Sequence, residues 1–123
     1  MRHILSILLI TAFMIVLTSC GTRDKNAGPI NLTSNSKFFD GYPDWSPYEE
    51  KLAFVSFQEN NYEIYSLDIN NHEIKRLTEN QVTNSNPVWS PYGTKLLFEQ
   101  NHGGNNFEIY VMNSDGTNQF RLT

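Results

Sequence analysis

The sequence predicts an all-β fold: two four-stranded antiparallel sheets, partial and open, made from one repeated unit and preceded by an N-terminal signal helix. Three observations predict it. Pro43, Trp45, Ser46, Pro47, Tyr48, Lys51, Leu52 and Phe54 recur 44 positions later as Pro87, Trp89, Ser90, Pro91, Tyr92, Lys95, Leu96 and Phe98, and a repeat of that length is one supersecondary unit used again. Glu63-Ile64-Tyr65 and Arg76-Leu77-Thr78 return as Glu108-Ile109-Tyr110 and Arg121-Leu122-Thr123 with an offset of 45. The one-residue slip falls in "EQNHGGNNF", where a hairpin tip tolerates insertion. Finally, the apolar runs are short, rich in β-branched and aromatic residues, and bounded by Gly, Asn and Pro.

Each element follows in chain order. Met1-Arg2-His3 is a short cationic start, and the apolar run from Ile4 to Leu17 suits a signal peptide better than the roughly 20 residues a bilayer span needs. Leu17-Thr18-Ser19-Cys20 resembles a bacterial lipobox, which makes residues 1–19 a lipoprotein signal and Cys20, the sole cysteine, the acylated residue. An ordinary signal peptide or membrane anchor with a chance cysteine is the alternative. Residues 20–29 are small and polar, as a tether between lipid and fold would be. Ile30 to Thr33 reads as a spare strand, because Leu32-Thr33 stands 45 positions before Leu77-Thr78.

The first full unit, residues 43–78, reads as four strands. Pro43 to Ser46 stops at Ser46-Pro47-Tyr48-Glu49, where proline at the second turn position presets φ. Lys51 to Phe57 follows, with Leu52, Phe54 and Val55 suited to a sheet buried on both faces. Tyr62 to Leu67 is third and Glu73 to Leu77 fourth. The second unit, residues 87–123, repeats the plan. Its last hairpin is marked by Asp115-Gly116, and the first unit's by Asn70-Asn71, both tolerant of positive φ. Four antiparallel strands in about 45 residues describe a β-propeller blade.

The pattern "P-x-W-S-P-x-x-x-K-L-x-F … E-I-Y … R-L-T" resembles the TolB-like, WD40-like propeller repeat, from Ile30 to Thr123. The usual Asp-Gly after Ser-Pro is replaced by Tyr48-Glu49 and Tyr92-Gly93, which weakens the turn chemistry without displacing the other matches. The resemblance implies six or seven blades where this chain has two. An open blade face measures roughly 19 by 17–20 Å. Leaving it wet would forgo up to roughly 8 kcal/mol if it were wholly apolar. The expectation is therefore an incomplete sequence, or else a small chain that assembles into a ring. By the resemblance, Leu32-Thr33 is the outer strand that completes the last blade.

Chemistry is sparse. His3, His72 and His102 have no partners at metal spacing, and no G-x-S-x-G, H-E-x-x-H or phosphate-loop motif occurs, so no catalytic residue, cofactor or metal site is assigned. Glu63 and Glu108 are explained by the repeat. Trp45, Pro47, Trp89 and Pro91 are expected to pack between blades. Asn84, Asn86, Asn101, His102, Asn105 and Asn106 are the candidate contact loops, since these stretches differ between copies. An excess of Asp+Glu (13) over Lys+Arg (9) argues against nucleic acid. These readings converge on a lipid-anchored binding module in the bacterial envelope, held to the bilayer by acylated Cys20. Gly21 after the cysteine favours, by resemblance, the outer membrane facing the periplasm. Its partner is an envelope protein, a peptide or a glycan, together with further blades in cis or in trans. The alternatives are the leading part of a prolyl-oligopeptidase-like hydrolase or of a glycan-active propeller.

Overall fold

A computed structural model of the chain describes residues 28–33 and 37–123. The signal helix, Cys20 and most of the tether lie outside the described residues. The chain divides into two units, Met1–Asn31 and Leu32–Thr123; residues 28–31 of the first carry no regular structure, and both sheets belong to the second.

The first sheet has the order β1 (Asp40–Trp45), β2 (Lys51–Gln58), β3 (Asn61–Asp68), β4 (Ile74–Arg76), and the second β5 (Thr83–Trp89), β6 (Lys95–Asn101), β7 (Phe107–Asn113), β8 (Phe120–Arg121). All neighbours are antiparallel. The opening strand of each sheet starts three or four residues earlier than the sequence suggested, and the reason is a shared bulge. In the first sheet the register passes from Gly41↔Val55 to Asp44↔Ala53, and in the second from Ser85↔Glu99 to Val88↔Leu97. Pro43 and Pro87 sit in these bulges, where a missing N–H costs no ladder bond. Tyr42 and Asn86, just before them, take positive φ.

The turns follow local chemistry. Glu59 and Asn60 both have positive φ, giving the two-residue β2–β3 hairpin its matching twist, while the β6–β7 loop, residues 102–106, takes in the inserted residue and begins one residue earlier and ends one later relative to the repeat. In the second sheet the last hairpin turns on Gly116, at φ 90°. In the first sheet the positive φ falls on His72, not on Asn70 or Asn71 as expected. Asp68 Oδ1 accepts from the N–H of both Asn70 and Asn71, which moves the left-handed step one residue on.

Alternate residues of β2 supply two cores. Ala53 and Val55, with Ile64 and Leu77, meet Trp89, Leu96, Phe98 and Met112 of the second sheet, and this cluster joins the blades. Leu52, Phe54, Tyr65 and Leu67 face the other way, where Leu32 and Ile69 pack on them. Ile30 to Thr33 is not the strand it was expected to be: residues 30 and 31 are irregular and Leu32-Thr33 form a turn. Leu32 nevertheless packs on Leu52, Phe54 and Leu67 as Leu77, its counterpart, packs on Leu96, Phe98 and Met112.

Candidate functional site

The most organised polar group in the structure lies at the joint between the blades. Glu63, on β3, is fully buried. Burying a carboxylate is costly unless its lone pairs are occupied; here five donors occupy them. Oε1 accepts from Asn61 Nδ2 at 3.0 Å, Arg76 at 3.2 Å and the Asn80 N–H at 3.1 Å, and Oε2 from the Thr78 hydroxyl and from Asn84 Nδ2 at 2.8 Å. Asn84 belongs to the second sheet, so the clamp spans both blades. Burial draws the Arg76 guanidinium's pKa down, but hydrogen bonds to Glu59 and Glu63 outweigh this and leave it raised. Gln100 Nε2 donates to Asn84 Oδ1 at 3.0 Å, which fixes the amide with its NH₂ toward Glu63.

Further contacts cross the same joint. The Trp89 N–H donates to Asp44 Oδ2 at 2.7 Å and its indole N–H to the Asp44 carbonyl at 3.2 Å. At the outer edge Gln119 Nε2 donates to the Leu77 carbonyl, and Lys75 Nζ to the Asp115 carbonyl.

The sequence-derived candidates divide. Trp89 is 7% exposed and belongs to the cluster that joins the blades, whereas Trp45 is 56% exposed. They are equivalent in the repeat, but the described residues place no blade over Trp45. Pro47 and Pro91 are also exposed; they shape turns instead of filling the joint. Asn84 is no loop residue: it lies within β5 and is fully buried. Asn86 is exposed on the bulge, its Nδ2 donating to Glu99 at 2.7 Å. Asn101, His102, Asn105 and Asn106 lie at or beside the exposed tip of the β6–β7 hairpin, where His102 Nε2 pairs with the Tyr110 hydroxyl at 3.2 Å. Among the described residues no group of His, Cys, Asp or Glu could hold a metal ion.

Sequence reasoning overlooked Tyr48 and Tyr92. They are 72% and 78% exposed, at the same corner of successive blades, on the end of the sheets opposite the β6–β7 hairpin. The two corners adjoin: a Cβ built on Gly93 would lie 3.4 Å from Ser46 Oγ and 3.7 Å from the Pro47 ring. Their recurrence 44 residues apart, in a turn that needs no aromatic, was the available signal.

Comparison with known proteins decides the family. The TolB beta propeller domain (PD40) matches over residues 16–123. The chain belongs to the TolB β-propeller family. The Tol-Pal system protein TolB of Geobacter sulfurreducens is 46% identical over 50 residues, which are 41% of this chain and 12% of that protein. An uncharacterised protein of Agrobacterium fabrum is 29% identical over 79 residues, 64% of this chain and 27% of that one. The crystal structure of TolB from Acinetobacter baumannii superposes with a TM-score of 0.64 at 32% identity, covering 72% of this chain and 22% of that structure. This chain thus spans about an eighth to a quarter of the length of these TolB-family relatives.

Proposed function

We propose that this chain supplies blades of a TolB-like propeller that acts as a protein-interaction module in the bacterial envelope, tethered to the outer membrane through an acylated Cys20. The observation that carries the interaction role is the pair of exposed tyrosines, Tyr48 and Tyr92, on adjoining blade corners. Tyrosine gives large contact area at small entropic cost and is enriched at interfaces. A propeller repeats such a corner at every blade, so a partner protein or peptide is read along one rim. The carboxylate most buried in the described residues, Glu63, is saturated by its donors and has no lone pair left for a substrate proton. That favours binding over catalysis.

The test uses a photo-crosslinking amino acid at position 48 or 92 of the full chain in the bacterium, with position 74 on β4 as the control site. An envelope protein captured from the tyrosine positions alone is expected. Equal capture from all three positions would contradict the rim. Membrane fractionation of Cys20→Ser tests the anchor separately: the variant is expected to leave the membrane, and retention would point to another attachment.

A further inference from the structure

The clamp at the joint is present a second time, half built. Glu108, Arg121 and Thr123 repeat Glu63, Arg76 and Thr78 at an offset of 45, and the contacts repeat with them. Arg121 pairs with Glu108 Oε1 at 2.6 Å, and the Thr123 hydroxyl donates to Oε2 at 3.0 Å. The Ile109 N–H donates to Thr123 Oγ1 as the Ile64 N–H does to Thr78 Oγ1. Asn106 stands in Asn61's place. The donors that come from beyond the blade, Asn80 and Asn84 in the first clamp, have no counterpart at Glu108 among the described residues. Around it the apolar residues of the first joint are reproduced too. Leu97, Ile109 and Leu122 take the places of Ala53, Ile64 and Leu77, and Leu97 and Leu122 are exposed where their counterparts are buried.

We infer that this face of the second sheet is a docking site for a further blade, and that Glu108 selects which blade it takes: one presenting a side-chain amide at the position of Asn84, not one presenting a carboxylate. The inference rests on reading the chain as part of a longer propeller. Its geometric basis is the first joint. A blade seated on the second sheet as the second sits on the first brings its residue 84 equivalent to Glu108 as Asn84 is brought to Glu63, within 2.8 Å. An amide donates there; a carboxylate cannot, and two like charges at that distance in a desolvated joint repel strongly. Glu99, which replaces Val55 on this face, adds a second carboxylate and the same preference for donors.

The chain contains both kinds of blade. Asn84 pairs with Gln100 in the ladder, and its counterpart in the first blade, Asp40, pairs with Ser56. Asp40 Oδ1 is buried and has no hydrogen-bond partner among the described residues. The first blade therefore presents a carboxylate where the second presents an amide, and Glu108 rejects the first blade of another copy. Leu32, already seated where Leu122 of that copy would go, works in the same direction. Ring assembly by head-to-tail copies is disfavoured on both counts.

The experiment extends the full chain after Thr123 with a second copy of residues 79–123, which continues the repeat in register. Amide hydrogen exchange of Ile109 and Leu122 is the readout, with Ile64 and Leu77 of the first joint as internal standards. Docking is expected to slow exchange at Ile109 and Leu122 at least about tenfold relative to the unextended chain, as befits a charge-assisted bond in a closed joint. Asn84→Asp in the appended copy alone is expected to abolish that gain. Adding Glu108→Gln, which turns the acceptor into a donor, is expected to restore it. Equal protection with Asn and Asp in the appended copy, no protection with Asn, or no rescue by Gln would each overturn the inference. Envelope crosslinking from Tyr48 and Tyr92 is read independently of all three.

Discussion

Glu63 shows how one residue can decide the stability of a joint. Its carboxylate is saturated by donors from β3, from β4 and the residues after it, and from the next blade, so removing any strong partner leaves charge in a dry place. Asn84→Asp is expected to destabilise the fold by about 3 kcal/mol or more, because it replaces a donor by a second buried carboxylate, whereas Asn105→Asp on the exposed tip of the β6–β7 hairpin is expected to change stability by no more than about 0.5 kcal/mol. Urea unfolding of the two variants separates these outcomes. Tyr65 gives a second residue-scale expectation. Burial raises its phenol pKa above the model-compound value of 10.0, so the folded state holds the proton more tightly than the unfolded chain. Stability from this source is complete below about pH 10 and is lost as pH rises through the folded pKa. Alkaline unfolding should therefore begin at higher pH in Tyr65→Phe than in the parent chain.

At the scale of elements the turns and bulges do the positioning. Gly116 combines φ of 90° with a close approach, since a Cβ there would stand 2.8 Å from the Leu77 carbonyl oxygen. Gly116→Ala is accordingly expected to cost about 1–3 kcal/mol, measured by thermal unfolding. The same change at Gly104, where nothing lies within 4 Å, meets only the backbone term and should cost less. Strands and hairpins were legible in the sequence because they are written in local signals: Pro-x-Trp-Ser-Pro, Asp-Gly, and the one-residue slip in "EQNHGGNNF". The bulge was not, since proline near a strand start reads locally as its boundary. The clamp was hidden for a different reason. Glu63 and Asn84 are 21 residues apart, on different sheets, and an asparagine among asparagines looks like a loop. Only alignment of Asn84 with Asp40, inside the repeat, could have flagged it.

The whole molecule explains why equivalent residues behave differently. A repeat predicts the same chemistry at Trp45 and Trp89, yet an array has ends, and position in the array sets which face is covered. Trp89→Ala is expected to cost about 3–5 kcal/mol as a core truncation, and Trp45→Ala under about 1 kcal/mol in this chain. The exposed ring of Trp45 and the half-built clamp at Glu108 are the two sides of one statement: these blades are held by blade neighbours. Acrylamide quenching of tryptophan fluorescence in the single-tryptophan variants Trp45→Phe and Trp89→Phe tests that statement most directly. The emission of Trp45 is expected to be quenched readily and that of Trp89 to be shielded, at matched folding. Equal shielding of both would mean that Trp45 is covered in this chain, and would contradict the dependence of each blade on its neighbour.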